Sequence, residues 1–173
     1  MYNGCYMEGN KKNRPRALLI FGAPCSGKTT FAEKFGNKFG LAYYDCDAIA
    51  EENGFSRQTI LTILELVLRT KQTIIIEGGL DSENDRTEMR NMLRKNGYEP
   101  ALIWIQTDVS TIRARLKSKF HSVAKAKEVF ESATSGLEAP AEYEKPIILS
   151  GKHTFETQTR HAITGLADLT ESK

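Results

Sequence analysis

The chain is 173 residues long, which is within the usual size of one domain built around a single hydrophobic core. Hydrophobic residues make up 40% of the sequence and charged residues 27%, which argues against extensive disorder and against a membrane span. A net charge of +2 does not indicate a nucleic-acid surface, and three cysteines without a Cys-x-x-Cys pair indicate reduced thiols in a cytoplasmic protein.

The order of apolar and amphipathic segments predicts an α/β fold. Residues 1–15 lack an apolar stretch, so we interpret them as a flexible tail and not as a signal peptide. Residues 16–173 alternate short apolar runs with amphipathic stretches, which predicts one domain in which helices cover a parallel sheet. Strands are predicted at residues 17–21, 41–45, 73–77, 101–106 and 146–149. Helices are predicted after the first strand and at residues 56–70, 83–96, 109–120 and 154–169, with a mobile lid at about 113–140.

The first predicted strand runs directly into a segment that matches the phosphate-binding pattern G-x-x-x-x-G-K-[ST]. In such a loop the glycines let backbone N–H groups turn toward phosphates, Lys28 reaches the β and γ oxygens, and the Thr29 hydroxyl can ligate Mg²⁺. The helix that follows adds the positive end of its dipole. The residues expected to bind a nucleoside triphosphate are Gly22, Ala23, Pro24, Cys25, Ser26, Gly27, Lys28, Thr29 and Thr30.

Several classes of phosphate-loop protein are not supported by the rest of the sequence. A GTPase would read its base with N-K-x-D, and residues 37–40 lack the aspartate. An ABC ATPase would carry a signature close to L-S-G-G-Q, from which residues 149–153 depart after three positions. The architecture that remains is a three-layer P-loop NTPase of the nucleoside monophosphate kinase type, with a five-stranded parallel sheet and a helical lid.

Residues 16–169 resemble the P-loop kinases often described as AAA-type ATP-binding kinases, close to polynucleotide 5′-kinase, gluconate and shikimate kinase and zeta-toxin-like domains. In that group the second strand ends at an acidic residue facing the acceptor hydroxyl, and Asp45 and Asp47 stand there in this sequence. The resemblance implies that Asp45 lies near Mg²⁺ and that Asp47 orients the acceptor as a base. Strand alternation would project both to the same side of an extended chain. Alternatively, Asp47 is only the N-cap of a helix.

The third predicted strand ends at Glu77, where related kinases carry an aspartate. A carboxylate at this place can hold a Mg²⁺-bound water, because Mg²⁺ keeps most of its waters. The alternative is a glutamate that only anchors the phosphate loop by hydrogen bonds. Arg57 and Arg86 follow the acidic strand ends, and we interpret them as exposed helix charges in preference to contacts with an acceptor.

Phosphoryl transfer needs positive charge beside the phosphates, and the segment after the fourth strand is basic. Related kinases carry a pattern like R-L-x-x-R here, which Arg115 matches, whereas Lys119 replaces the second arginine. On a helix these two share one flank, and Arg113 and Lys117 share the other. We expect Arg115 and Lys119 to contribute to catalysis, although a basic helix is also typical of a solvated face.

The loop after the fifth strand contains Lys152, and the resemblance implies that this loop lines the adenine pocket. A simple turn capped by Thr154 would explain the same residues. The expected activity is the transfer of the γ-phosphoryl group of ATP, with Mg²⁺, to a hydroxyl or phosphate of a small molecule or nucleoside/nucleotide. A polynucleotide 5′-hydroxyl is a less favoured acceptor because the net charge is small. A rival from another class is an ATP-dependent switch that acts on a protein partner.

Overall fold

The computed structural model describes residues 14–171 of the chain. The strands are β1 (Arg16–Phe21), β2 (Ala42–Asp45), β3 (Ile74–Glu77), β4 (Glu99–Gln106) and β5 (Ile147–Ser150). The helices are α1 (Lys28–Phe39), α2 (Cys46–Asn53), α3 (Arg57–Leu68), α4 (Glu83–Lys95), α5 (Val109–Phe120), α6 (Val123–Thr134) and α7 (Phe155–Glu171). A turn of 3-10 helix, Glu142–Glu144, precedes β5. The five predicted strands are all present.

All five strands are parallel and lie in the order β2-β3-β1-β4-β5. β1 is central, and its Leu19 lies beside Ile76 of β3 on one side and Leu102 of β4 on the other. The chain runs from β1 to β2 at one edge of the sheet and returns after β3 to the opposite side of β1. In open parallel sheets, ligands bind outside the carboxyl ends of the strands where the order reverses, so this topology directs attention to the end of β1.

Helices cover both faces of the sheet because successive side chains of a strand point to opposite sides. Leu18 and Ile20 of β1 belong to a buried cluster with apolar residues of α1 and α7. Leu19 and Phe21 belong to a second cluster with residues of α3 and α4. The result is the three-layer α/β fold expected from the sequence, with β1 buried on both faces.

Helices α5 and α6 pack against each other as a hairpin beside the phosphate loop. Their own small cluster is formed by Ile112, Leu116 and Ala126, and Ala23 and Cys25 of the loop pack against it. The predicted lid, residues 113–140, falls on this hairpin and on the segment that follows it. The hairpin is therefore in a position from which it can cover a ligand on the phosphate loop.

The end of β2 differs from the expectation for an extended Asp45–Asp47 segment. The chain turns into α2 at Cys46, and the Asp45 Oδ1 atom accepts a hydrogen bond from the Ala48 N–H at 3.0 Å. Asp45 is therefore the N-cap, because its side chain satisfies one of the unpaired N–H groups of the first turn. The predictions that the two aspartates share one side of an extended chain, or that Asp47 is the cap, were wrong.

The predicted flexible tail, residues 1–15, lies almost wholly outside the described residues. Among the helices of residues 14–171, none combines the length and the apolar character that crossing a membrane requires.

Candidate active site

The phosphate-loop segment, residues 22–29, connects the end of β1 to the start of α1. Gly22, Cys25 and Gly27 have positive φ angles of 147°, 57° and 108°, which turn the backbone tightly. A Cβ atom on Gly22 would lie 2.4 Å from the carbonyl oxygen of Ile105, so the approach of the loop to β4 requires glycine. Because α1 begins at Lys28, the free N–H groups of its first turn lie beside the loop.

A cavity of about 490 Å³ opens on the phosphate loop, which is within the range of small-molecule sites. It brings together the phosphate loop, one flank of α5 and the loop after β5. Its walls include Cys25, Gly27, Lys28, Thr29, Thr30, Arg115, Lys119, Gly151 and His153. Arg113 and Lys117 line a different groove, so α5 separates the two basic pairs as its helical spacing predicts.

Glu77, at the end of β3, is the centre of a polar network. Its side chain is 5% exposed, and its Oε1 atom accepts a hydrogen bond from the Thr29 hydroxyl at 2.9 Å. The Tyr43 hydroxyl donates to Oε2 at 2.7 Å, and the Lys28 ammonium lies 3.9 Å from Oε1. Burial raises the pKa of Glu77, while these three donors act in the opposite direction. The network fixes the Thr29 hydroxyl beside the phosphate loop.

Two further carboxylates, Asp47 and Asp81, lie close enough to Lys28 to interact with its charge. Asp47 Oδ1 accepts a hydrogen bond from the Gly79 N–H at 3.0 Å, and a Cβ atom on Gly78 would lie 2.6 Å from the Asp47 carboxyl carbon. Loss of hydration, followed by the charges of Asp81 and Asp45, raises the pKa of Asp47. Loss of hydration also raises the pKa of Asp81, and the Lys28 charge opposes both shifts.

Asp81 was not among the residues expected from the sequence. It follows Glu77 by four positions, in the loop that leaves the carboxyl end of β3. The signal that could have found it is a carboxylate two residues after the Gly78–Gly79 turn, since loops at the carboxyl ends of parallel strands converge on the ligand.

The geometry fits a nucleotide with its metal ion. Three residues of the loop have positive φ angles, and the loop lies beside a helix N-terminus. Thr29 supplies a hydroxyl of the kind that ligates Mg²⁺. Within residues 14–171, no three His, Cys, Asp or Glu side chains are grouped so that they alone could hold a metal. An Mg²⁺ ion here would take its ligands from Thr29, phosphate oxygens and water, with Glu77 holding the Thr29 hydroxyl.

Arg115 contacts the backbone of two loops. One terminal nitrogen donates to the carbonyl oxygens of Cys25 and Ser26 at 2.9 and 3.2 Å, and the other donates to that of Gly151 at 2.9 Å. Arg115 thereby ties α5 to the phosphate loop and to the loop after β5. Lys119, one turn later on the same flank, also lines the cavity.

Lys152 lines a second cavity, in which Ala23 is the one other predicted ATP-binding residue among those described. Its ammonium pairs with Asp108, before α5, and its side chain lines this cavity with Trp104 and Ile148. The neighbours of Lys152 in sequence, Gly151 and His153, face the phosphate-loop cavity instead. Two residues of the loop after β5 therefore line the phosphate-loop cavity, whereas the Lys152 side chain between them lines the second cavity.

Arg86 is fully buried, so the interpretation as an exposed helix charge was wrong. It forms a bidentate pair with Glu144, with both N–O distances 2.9 Å, and donates to the carbonyl oxygens of Leu80 and Asp81 at 3.2 and 3.0 Å. Arg57 is partly exposed, as expected, and pairs with Asp85 and Glu88. Arg86 therefore fixes the backbone of the loop that carries Asp81.

Comparison with solved structures shows the same fold in kinases. A gluconokinase from Sinorhizobium meliloti 1021 has a TM-score of 0.71 and 16% identity, over 92% of this chain and 96% of that one. A sugar kinase from Janibacter sp. HTCC2649 has a TM-score of 0.67 and 19% identity, over 88% and 95%. The Mycobacterium tuberculosis APS kinase CysC, solved with AMPPNP and APS, has a TM-score of 0.68 and 16% identity, over 89% and 98%. The P-loop kinase fold predicted from the sequence is confirmed.

No curated protein matches the chain. A family model described as an AAA domain matches residues 40–140, which is more than half of the chain. The matched region begins after the phosphate loop and contains Asp45, Asp47, Glu77, Arg115 and Lys119. The chain therefore belongs to this AAA domain family, as the resemblance implied.

Proposed function

We propose that this protein is an ATP-dependent phosphotransferase that moves the γ-phosphoryl group of ATP to a hydroxyl of a small molecule. The observation that carries the proposal is the position of Lys28, which lies on the wall of a nucleotide-sized cavity and also beside the carboxylates Asp47, Glu77 and Asp81. Phosphoryl transfer requires this combination, in which a cation holds the phosphates and a carboxylate lies next to the transfer point.

The nucleotide side of the site consists of residues 22–29 with the flank of α5. Backbone N–H groups of the loop bind the phosphates, and the Lys28 ammonium holds their terminal oxygens. Lys119 adds a second cation from the lid, and the loop around Gly151 receives the base. Mg²⁺, bound with ATP, neutralises charge on the phosphates. Glu77 keeps the Thr29 hydroxyl turned toward that metal position by accepting its hydrogen bond.

Asp47 is the group that we assign to the acceptor. Its Oδ1 atom is held by the Gly79 N–H, which leaves Oδ2 to accept the proton of the acceptor hydroxyl. The raised pKa makes this carboxylate a stronger base than an ordinary aspartate. Asp81 contributes to that shift through its negative charge.

The pairing of two arginines supports a hydroxyl acceptor over a phosphate acceptor. Arg57 lies 3.0 Å from Asp85 and 2.9 Å from Glu88, and Arg86 is buried against Glu144. A phosphate acceptor would bring about two negative charges into a region that already contains Asp47 and Asp81. Its binding would require cations that are not already committed to carboxylates.

The test is a screen of small alcohols, sugars and nucleosides for acceptor-dependent ATP consumption, with the phosphorylated product identified by mass.

Lys28→Ala should lower the rate by roughly 10²- to 10³-fold, the usual effect of losing one positioned charge donor. Asp47→Asn should lower kcat by roughly 10²-fold or more and leave ATP affinity unchanged, because a general base acts only in the transfer step. Lys117→Gln is the control, since Lys117 faces away from the cavity.

Full turnover in the Lys28 or the Asp47 variant would reject the assigned chemistry. ATP hydrolysis that no acceptor stimulates but a protein partner does would instead identify a nucleotide-dependent switch. Preferential labelling of 5′-hydroxyl oligonucleotides would replace the small-molecule acceptor with a polynucleotide.

A further inference from the structure

A second cavity with a cationic lining lies at the end of the sheet opposite the active site. It has a volume of about 220 Å³ and is lined by Arg16, Arg90, Arg94 and Lys145, together with Glu99 and Glu144. Arg16 and Glu99 are the first residues of β1 and β4, which places the cavity at the amino ends of the strands. The nucleotide site, in contrast, lies at their carboxyl ends.

The Arg90 side chain is mostly buried in this cavity, but its positive charge has only long contacts to a carboxylate. Its side chain is 13% exposed, and its contacts to Glu144 are an ion pair of 3.6 Å and a hydrogen bond of 3.4 Å to the carbonyl oxygen. Both carboxylate oxygens of Glu144 already accept shorter bonds of 2.9 Å from Arg86. A guanidinium has five N–H donors, so most of the capacity of Arg90 remains for another acceptor.

The neighbouring cations add to this excess of positive charge. Within residues 14–171, no hydrogen bond or ion pair holds the Arg94 guanidinium or the Lys145 ammonium. Arg16 donates to the carbonyl oxygen of Leu166 and the hydroxyl of Thr170, which carry no charge. The described lining of the cavity thus contains four cationic side chains and two carboxylates, Glu99 and Glu144. Loss of hydration and the charge of Arg94 lower the pKa of Arg90, as expected for cations held together without sufficient counter-charge.

The dipole of α4 explains only part of this arrangement. A basic last turn such as Arg94 and Lys95 is favourable at the negative end of a helix. Arg90 lies one turn earlier and is mostly buried, and it stands at the unfavourable like-charge spacing i, i+4 from Arg94. The cost of this placement would be removed by a bound anion.

We propose that the cavity lined by Arg90, Arg94 and Lys145 binds a small phosphate-bearing anion. The fork of an arginine matches two phosphate oxygens, and lysine adds a point charge that satisfies a third. The volume is below the range typical of drug-sized ligands, which favours inorganic phosphate or a compact phosphate ester over a whole nucleotide. Glu144 connects this cavity to the active site, because its partner Arg86 holds the loop that carries Asp81.

The experiment titrates inorganic phosphate into the full chain by calorimetry, in a Lys28→Ala background that weakens binding at the phosphate loop. Phosphate should still bind to this variant. Adding Arg94→Gln and Lys145→Gln together should weaken binding by about tenfold or more, because two of the three proposed charge-assisted contacts are lost. The matched control adds Arg113→Gln and Lys117→Gln, which also removes one arginine and one lysine, and should bind like the background. Thermal unfolding of each variant checks the fold.

Equal phosphate affinity in the Arg94/Lys145 variant and its background would overturn the proposal, as would complete loss of phosphate binding in the Lys28→Ala variant alone. A second titration uses methyl phosphate. Tighter binding of methyl phosphate than of inorganic phosphate would identify an ester as the ligand, and the reverse order would identify the free ion, with the same variants weakening either one.

Discussion

At the scale of single residues, the buried carboxylate of Glu77 organises the proposed transfer site. It receives hydrogen bonds from Thr29 and Tyr43, and it lies within 3.9 Å of Lys28. Tyr43 also donates weakly to Asp45 at 3.4 Å, so one phenol connects the ends of β2 and β3. The Tyr43 hydroxyl remains a donor at any physiological pH, because burial and the bond to Glu77 raise its pKa.

Tyr43→Phe should lower kcat by roughly tenfold, since a hydrogen bond to a charged group contributes about 1.5 kcal/mol or more. Without this donor, Glu77 is free to rotate away from the Thr29 hydroxyl that we assign to the metal. The measurement is steady-state kinetics with the acceptor found in the screen. Tyr44→Phe is a matched control, because Tyr44 packs against the opposite face of the sheet. Equal losses in the two variants would contradict a role for the Tyr43 hydroxyl.

The sequence predicted part of this residue-level geometry. The phosphate loop was predictable because its glycines and Lys28 stand at a fixed spacing, and the position of Glu77 followed from the end of a buried strand. Asp81 was not predictable in the same way, since its approach to Asp47 depends on how Gly78 and Gly79 turn the backbone. The bidentate contact of Arg86 with Glu144 joins residues 58 positions apart, which local patterns do not encode.

At the scale of elements, α5 holds the two sides of the nucleotide cavity together. Arg115 bridges the carbonyl oxygens of Cys25 and Gly151, which belong to the phosphate loop and to the loop after β5. The two loops lie so close that a Cβ atom on Gly151 would be 2.0 Å from the carbonyl oxygen of Ser26. The shape of the cavity therefore depends on a side chain from the hairpin of α5 and α6.

Arg115→Lys should raise the KM for ATP by roughly tenfold, because a lysine cannot bridge two carbonyl oxygens with the fixed fork of a guanidinium. The effect on kcat should be smaller if Arg115 mainly positions the loops. Arg113→Lys provides a matched control on the other flank of the same helix, where Arg113 stacks on Phe130. An unchanged KM in the Arg115 variant would show that the bridge does not set the cavity.

Most of the strands and helices were predictable, because a short apolar run indicates a buried strand and apolar residues at helical spacing indicate a helix with one buried face. The expected strands have bounds within two residues of those found, and the helix predicted at residues 109–120 has the same bounds as α5. Helix α2 was not expected to begin at Cys46, because Asp45 both ends a strand and caps a helix. The side of the last loop on which Lys152 lies also required the structure, since its pairing with Asp108 is a contact between distant segments.

At the scale of the whole molecule, Asp47 and Asp81 lie near the carboxyl ends of the strands, and the cavity lined by Arg90, Arg94 and Lys145 lies at their amino ends. Asp47 and Asp81 at the carboxyl end both have raised pKa values, so the folded protein binds their protons more tightly than the unfolded chain does. Their contribution to stability is thus present at low pH and is lost as the pH rises through the raised pKa values.

This arrangement predicts the pH dependence of the reaction. With Asp47 as the base, kcat/KM should fall as the pH drops through its raised pKa, which lies above the ordinary aspartate value of about 3.9. Asp81→Asn removes a neighbouring negative charge and should move this acid limb to lower pH. Glu65→Gln, on an exposed position of α3, serves as the control for a general loss of charge. An acid limb that does not move in the Asp81 variant would contradict the electrostatic coupling.

The hairpin of α5 and α6 is connected to the rest of the domain by hydrogen bonds at two places. Arg115, in α5, donates a hydrogen bond to the phosphate loop. Beyond α6, the Glu138 carbonyl oxygen accepts from Arg86, and the Glu138 N–H donates to the carbonyl oxygen of Asp81 in the loop after β3. Between Arg115 and Glu138 the chain reverses at His121 and Ser122, which take part in neither of these contacts. We expect a fluorophore attached at that reversal to change its signal on addition of ATP if the hairpin closes over the cavity, and an unchanged signal would contradict the predicted lid.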